Sequence, residues 1–234
     1  MVGMFALAGG DEFQPEYDAP DRALVAAMPA GPGRIVIIPT AAGRQGPQQA
    51  MANGVRHFHR LAPHATVEGV PVIDAASAND PNLAARVASA DMIYLTGGDP
   101  GHLVRALRGS EMLAALAAVA ARGGIVAGAS AGAMALGEMM RWGGGWEPGL
   151  NLVRGLVVLP HHPAAPQPRE QARAGLNGSL VALGIPTGVV CLSRAQHPTT
   201  GEPDAWEVLG NYPVTLYRAQ GTMQVPPGQS FSLT

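Results

Sequence analysis

Four short apolar runs in the first 140 residues each lead into a loop of small or polar residues, and a helix-like segment follows. These loops begin at Gly9, Thr40, Gly97 and Ser130. Alternation of buried strands with helices is typical of a parallel sheet covered by helices on both faces. The loops at the carboxyl ends of such strands gather at one edge, where ligands bind. The sequence therefore predicts an α/β fold with a site at that edge.

The pattern changes after Met140. The sequence predicts a loop over Trp142–Gly149 and a strand over Leu152–Leu159. It then predicts a helix over Arg169–Leu183 and a series of short strands joined by turns over Ala205–Leu233. We therefore expect a small antiparallel β extension near the C-terminus. Because no internal repeat or linker divides the 234 residues, of which 47% are hydrophobic, we expect a single domain over residues 1–234.

Composition narrows the classes of partner. A formal net charge of −2 gives no reason to expect nucleic acid or an anionic membrane surface as a partner. A single cysteine, Cys191, excludes an intrachain disulfide and a cysteine-rich metal site. The absence of lysine excludes a Schiff base. No stretch is apolar over the length of a membrane span, and no basic segment precedes an apolar N-terminus, so we expect a cytoplasmic protein.

The segment Gly124–Ala133 carries the strongest chemical signal. An apolar strand runs into Gly128-Ala-Ser130-Ala-Gly132, and a helix-like segment follows. A G-x-S-x-G sequence between a strand and a helix places its serine on a sharp turn with the hydroxyl exposed. The alternative is a small-residue turn whose serine only caps the helix. The flanking pattern favours Ser130 as a nucleophile.

A serine needs a base, and histidine is the usual one. His161 and His162 directly follow an apolar strand, and His161 is the preferred base, whereas the histidines at 57, 59 and 64 are expected to be solvated. A carboxylate should orient the imidazole. Between Ser130 and His161 the acidic residues are Glu138 and Glu147, and we favour Glu147 because its Gly/Trp loop can fold over the site.

The sequence Gly97-Gly98-Asp99 supplies a second element. The N–H groups of Gly98 and Ala131 are expected to form an oxyanion hole. Asp99 is expected to bind a substrate amine, to cap the following helix, or to do both.

These motifs together resemble the serine peptidase family of dipeptidase E (aspartyl dipeptidase) and cyanophycinase. The matching segments are Gly9-Gly10, Ile38-Pro39-Thr40-Ala41, Leu95-Thr-Gly-Gly-Asp99, Gly128-Ala-Ser-Ala-Gly-Ala133, Pro160-His161 and Arg169-Glu170-Gln171. The resemblance implies a flavodoxin-like sheet of the class I glutamine amidotransferase type. It also implies cofactor-free, metal-free hydrolysis of a small peptide substrate, in which Ser130 attacks, His161 transfers the proton and an acidic residue assists.

The known activities of that family act on N-terminal Asp dipeptides or on β-linked Asp-Arg units. Arg169 is the candidate partner of the substrate carboxylate. Two departures bear on specificity: His162 replaces the common phenylalanine, and Thr187 stands where an acidic residue is frequent. We include both among the substrate-binding candidates, and they weaken the expectation of strict aspartyl specificity. We expect a monomer or a homodimer.

Three other functions compete with a dipeptidase. The first is a cyanophycinase-like isopeptidase. The second is an α/β-hydrolase esterase, whose histidine would come late in the chain, where only His197 could serve. The third is a catalytically silent amidotransferase-like binding protein, in which His161 would lie far from Ser130. The separation of these two side chains therefore discriminates between hydrolysis and a silent fold.

Overall fold

The computed structural model describes residues 4–163, 179–196 and 203–233. The strands are β1 (Met4–Ala8), β2 (Arg34–Ile38), β3 (Thr66–Gly69), β4 (Met92–Leu95), β5 (Ile125–Ala129), β6 (Met139–Trp142), β7 (Gly145–Pro148), β8 (Leu156–Leu159), β9 (Val181–Gly184), β10 (Val190–Gln196), β11 (Pro203–Leu209), β12 (Val214–Arg218), β13 (Gly221–Val225) and β14 (Ser230–Phe231). The α-helices are α1 (Asp18–Ala27), α2 (Pro47–Leu61), α3 (Ala75–Ala78), α4 (Pro81–Ala88), α5 (Pro100–Leu107), α6 (Glu111–Ala121) and α7 (Ala131–Leu136).

The central sheet has eight strands in the order β14-β11-β10-β1-β5-β4-β2-β3. Strands β1, β5, β4, β2 and β3 are parallel, whereas β10, β11 and β14 continue the sheet in antiparallel fashion beyond β1. Because the parallel strands share one direction, the loops after β1, β2, β4 and β5 lie at the same edge. The predicted α/β fold with its antiparallel extension is confirmed.

Alternate residues of the parallel strands enter two separate cores. Along β2, Val36 and Ile38 pack in the core that also holds residues of α4, α5 and α6. Ile35 and Ile37 pack in the opposite core with residues of α1 and α2. This two-residue period is the one a strand requires when helices cover both of its faces.

A second sheet, in the order β13-β12-β9-β8, includes the strand that precedes His161. β8 and β9 are parallel, and β12 and β13 are antiparallel to their neighbours. The helix predicted over Arg169–Leu183 is wrong at its C-terminal end, where Val181–Leu183 belong to β9, and residues 169–178 lie outside the described residues. Pairing with β8 and β12 outweighs the Ala/Leu composition of this segment.

The segment Trp142–Gly149, predicted to be a loop, contains half of a β-hairpin. Trp142 pairs with Gly145, so that Gly143 and Gly144 form a two-residue turn in which both φ angles are positive. Glycine pairs are favoured in such turns because L-residues resist this backbone conformation. The hairpin β6–β7 therefore holds Glu147 in a strand rather than in a loop that folds over the serine.

His57, expected to be solvated, is instead buried on the inner side of α2. Its Nε2 lies 2.8 Å from Oδ2 of Asp21, which is fully buried on α1.

Among the described residues, no helix is both long and apolar enough to cross a membrane.

Candidate active site

Ser130 occupies the sharp turn between β5 and α7. Its φ of 48° and ψ of −110° lie outside the regions that L-residues normally adopt. The glycines on either side make this turn sterically possible, because a Cβ on Gly128 would lie 2.5 Å from the Gly132 carbonyl carbon and a Cβ on Gly132 would lie 2.5 Å from the Leu95 oxygen. The predicted strand–turn–helix context of Ser130 is therefore present.

His161 follows β8 and reaches the serine. Its Nε2 lies 3.2 Å from Ser130 Oγ, which is within hydrogen-bonding range. The backbone N–H of His161 donates to the Gly9 carbonyl at 2.7 Å. Its ring lies directly against Gly10, where a Cβ would be only 2.2 Å from Cε1. The loop after β1 thus forms the floor beneath the imidazole.

The carboxylate that faces this histidine belongs to Asp11. Its Oδ2 lies 3.5 Å from His161 Nδ1, and it also accepts a hydrogen bond of 3.2 Å from the Thr187 hydroxyl. The geometry forms a continuous series from Ser130 through His161 to Asp11. Thr187 enters the site through Asp11, at the position where the related family often has an acidic residue.

Glu147 and Glu138 lie elsewhere. The carboxylate of Glu147 turns toward Gly143 of its own hairpin, where its Oε1 is 3.5 Å from a Cβ built on that glycine. Oε2 of Glu138 accepts the Gly155 N–H at 2.8 Å. Neither glutamate contacts His161 in the part of the chain that the structure describes, so the structure supports neither as the orienting carboxylate.

Backbone strain coincides with this group of residues. Within the described ranges, the non-glycine residues with positive φ are Asp11, Phe13, Ser130, Asn151 and His161. Three of these five carry the serine, histidine and carboxylate side chains. Strained conformations of this kind persist where the surrounding structure holds them, and they cluster at functional sites.

The glycines after β4 lie beside the serine. Gly98 has a φ of 139° and packs so closely on Ala41 that a Cβ would lie 2.3 Å from its carbonyl oxygen. Neither the Gly98 nor the Ala131 N–H donates a hydrogen bond within the described residues. Gly97 differs, because its N–H donates to Glu12 Oε1 at 2.7 Å. The predicted donor pair therefore remains available to a ligand.

Two of the proposed substrate contacts have partners within the protein. Asp99 accepts the His102 N–H at 2.9 Å and caps α5, as one of its two predicted roles requires. His162 is buried, and its Nδ1 and Nε2 each lie 2.8 Å from an oxygen, that of the Pro163 carbonyl and that of the Tyr217 hydroxyl. The structure therefore gives His162 a packing role. Arg169 and His197 lie outside the described residues.

Tyr17 holds the loop that carries Asp11. Its fully buried hydroxyl accepts the Gly10 N–H at 3.1 Å and donates to the Gly10 carbonyl. Burial raises the pKa of Tyr17 far above its usual range, so the hydroxyl keeps its proton.

Among the described residues, no group of three or more histidine, cysteine or carboxylate side chains could hold a metal ion.

Comparison with known proteins assigns the chain to a family. The sequence model of peptidase family S51 matches residues 4–177, which include all of the site described above except Thr187. The chain belongs to peptidase family S51. This S51 peptidase is similar to the crystal structure of a peptidase from an acI-B1 Actinobacterium, with a TM-score of 0.81 and 24% identity. The similarity covers 99% of this chain and 97% of that one.

A second solved structure has the same overall fold. It is a protein assigned as a peptidase E from Listeria monocytogenes EGD-e, with a TM-score of 0.55 and 15% identity over 97% of this chain and 99% of that one. No curated protein matches the S51 peptidase described here. The predicted family is thus confirmed by the family match, and the fold by the solved structures.

Sequence reasoning missed Asp11, Glu12 and Tyr17. The available signal was position, because Asp11 and Glu12 directly follow Gly9-Gly10 at the end of an apolar strand. That strand was already expected to end at the same edge as Ser130. In a parallel sheet, residues just after any of the neighbouring strands are candidates, whatever their separation along the chain.

Proposed function

We propose that this S51 peptidase is a serine peptidase that hydrolyses dipeptides or short peptides through Ser130, His161 and Asp11. The observation that carries the proposal is the separation of 3.2 Å between Ser130 Oγ and His161 Nε2. A catalytically silent fold was expected to leave these two side chains far apart. A base within hydrogen-bonding distance of a strained serine is the arrangement that nucleophilic catalysis requires.

The geometry supports a two-step acyl transfer. His161 Nε2 takes the Ser130 proton as Oγ bonds to the substrate carbonyl carbon, and the protonated imidazole then gives that proton to the leaving amine as the peptide bond breaks. Asp11 favours the tautomer with a proton on Nδ1 and stabilises the imidazolium. A water molecule then attacks the acyl-enzyme with His161 again as the base, and this releases the acid product and regenerates Ser130.

The oxygen that becomes negative during attack needs donors. The N–H of Ala131 follows the nucleophile directly, and the N–H of Gly98 comes from the adjoining loop. Their lack of protein acceptors in the described chain supports their role as an oxyanion hole. Gly97 does not share this role, because Glu12 already binds its N–H.

The test is a panel of dipeptides with varied N-terminal residues, assayed with the wild type, Ser130→Ala and Ser89→Ala. Ser89 is exposed and lies after α4, so its variant controls for the loss of a serine. We expect Ser130→Ala to lose at least about 10³-fold in kcat and Ser89→Ala to keep wild-type activity. Hydrolysis that survives in Ser130→Ala would show that another group is the nucleophile.

The same panel tests a preference for N-terminal Asp. That preference rests on the family resemblance and on Arg169, so Asp-Leu is compared with Asn-Leu, which has the same shape without the charge. A kcat/KM for Asp-Leu at least about tenfold higher supports it, because one charge-assisted pair contributes that much. Equal values would contradict it.

The cytoplasmic location and the monomeric or homodimeric state stay predictions from the sequence, and light scattering tests the latter.

A further inference from the structure

Glu12 is a second carboxylate at the serine, and the mechanism above does not use it. Its Oε1 accepts the Gly97 N–H at 2.7 Å. A Cβ built on Gly97 would lie 3.2 Å from Glu12 Oε2 and 3.4 Å from Ser130 Cβ. The Glu12 carboxylate and the Ser130 side chain therefore both border the space over the Gly97 Cα atom.

The charges of the two neighbouring acidic residues are balanced differently. Asp11 faces His161 and receives the Thr187 hydroxyl. Glu12 forms no ion pair with any cation among the described residues. A carboxylate that one backbone N–H holds in place, with its second oxygen available, is well prepared to bind a cation supplied by a ligand.

The position of Glu12 fits one cation of a peptide substrate. In an N-terminal residue the ammonium nitrogen is two bonds from the scissile carbonyl carbon, about 2.5 Å away. The carbonyl carbon itself must approach Ser130 Oγ to about 3–3.5 Å. The ammonium group of a bound substrate must therefore lie close to the nucleophile, next to the space over Gly97. An internal residue would place a neutral amide there and leave the carboxylate desolvated without a partner.

We infer that Glu12 binds the free α-ammonium group of the substrate and so restricts this peptidase to the first residue of a peptide. The inference rests on the proposed function and adds a specificity-determining residue to it. Asp99, the amine-binding candidate from the sequence, already caps α5. Glu12 takes over that role because its second oxygen and the serine border the same space over Gly97.

The test compares alanyl-leucine with N-acetyl-alanyl-leucine, which differ in the ammonium charge and have no charged side chains. In Glu12→Gln the amide oxygen can still accept the Gly97 N–H, whereas the negative charge is lost. We expect KM for alanyl-leucine to rise about 10- to 100-fold, as for loss of a charge-assisted hydrogen bond, with kcat within about threefold. We expect kcat/KM for the acetylated peptide not to fall.

Two further variants separate charge from space. Glu16→Gln removes an equal charge from an exposed position four residues away and should leave both substrates unaffected. Gly97→Ala keeps the charge and adds a methyl group in close contact with both Glu12 and Ser130, so KM for alanyl-leucine should rise. An unchanged ratio of the two kcat/KM values in Glu12→Gln would overturn the inference. An equal loss on both substrates would leave that ratio unchanged and would indicate that Glu12 only positions Gly97.

Failure of the proposed function itself would be seen differently, as no hydrolysis of either peptide by the wild type. Glu12 is then tested by calorimetry on Ser130→Ala with the same two peptides. Alanyl-leucine should bind at least about tenfold more tightly than its acetylated form, and Glu12→Gln in that background should remove the difference. Equal affinities in Ser130→Ala would overturn the inference.

Discussion

Replacement of Asp11 by asparagine tests the arrangement of the catalytic group most directly. The substitution keeps the size of the side chain and an oxygen that can accept the Thr187 hydroxyl, but it removes the charge that faces His161. Asn can also present its NH₂ group to Nδ1, which would disfavour the tautomer needed for general-base catalysis. The variant should therefore lower kcat and leave KM for a dipeptide nearly unchanged.

The size of the effect follows from distance and exposure. Unit charges 3.5 Å apart attract by about 1.2 kcal/mol in water and about 4.7 kcal/mol at an effective dielectric constant of about 20. The Asp11 and His161 side chains are 65% and 47% exposed, so the lower figure is the better guide. We take about 1–2 kcal/mol for the imidazolium of the transition state, which corresponds to a loss of about 5- to 30-fold in kcat.

This loss is much smaller than the factor of about 10⁴ found when the buried aspartate of a serine protease triad becomes asparagine. The assay is steady-state hydrolysis of the best dipeptide of the panel by the wild type, Asp11→Asn, Asp11→Ala and Glu147→Gln. Both Asp11 variants should fall in the stated range, and Glu147→Gln should match the wild type.

Three results would refute this reasoning. Less than a twofold loss in both Asp11 variants would mean that the carboxylate does not support the histidine. A loss as large as that of Ser130→Ala would mean that solvent does not screen the pair. A larger loss in Glu147→Gln than in Asp11→Asn would mean that Glu147 of the hairpin β6–β7, and not Asp11, supports the histidine.

Two other substitutions test the supports of the site. Gly10→Ala should lower kcat by about 100-fold or more, because its Cβ would lie 2.2 Å from the His161 ring and a displacement of 1 Å can cost that much. His57→Ala should lower the free energy of unfolding by about 3–5 kcal/mol, because it leaves the buried Asp21 carboxylate unpaired. Burial raises the pKa of Asp21 and the hydrogen bond from His57 opposes that rise. In His57→Ala stability should therefore decrease as the pH rises from the ordinary Asp pKa toward the raised value, where the unfolded chain binds fewer protons.

Each of these has a matched control. Gly31 also has a positive φ, and no atom lies within 4 Å of a Cβ built there, so Gly31→Ala carries the conformational cost without the clash. Equal activity of Gly10→Ala and Gly31→Ala would contradict the role of Gly10 as the floor of the site. His59 is exposed on the same helix, and His59→Ala should unfold like the wild type. Denaturant unfolding across pH 4–8 that shows no difference between the two histidine variants would contradict the buried pair.

Local pattern was sufficient where function depends on a contiguous segment. The strand before Ser130, the two glycines and the helix after it lie within the twelve residues 125–136, and their sterics require one another. His161 was found because it directly follows an apolar strand. Local pattern failed where pairing partners decide, as in Val181–Leu183, which became β9, and in Trp142–Gly149, which became part of a hairpin.

The sequence by itself determined the α/β fold and the family, and it singled out Ser130 and His161 as the candidate nucleophile and base, because each of these follows from a short segment with its own steric or hydrophobic requirements. Only the tertiary structure decided which carboxylate faces the histidine. Four loops meet at the carboxyl edge of the sheet, and nothing along the chain says which of their acidic side chains will point at His161. Asp11 occupies that place because β1 lies beside β5 in the sheet and because Tyr17 and Thr187 hold its loop and its carboxylate.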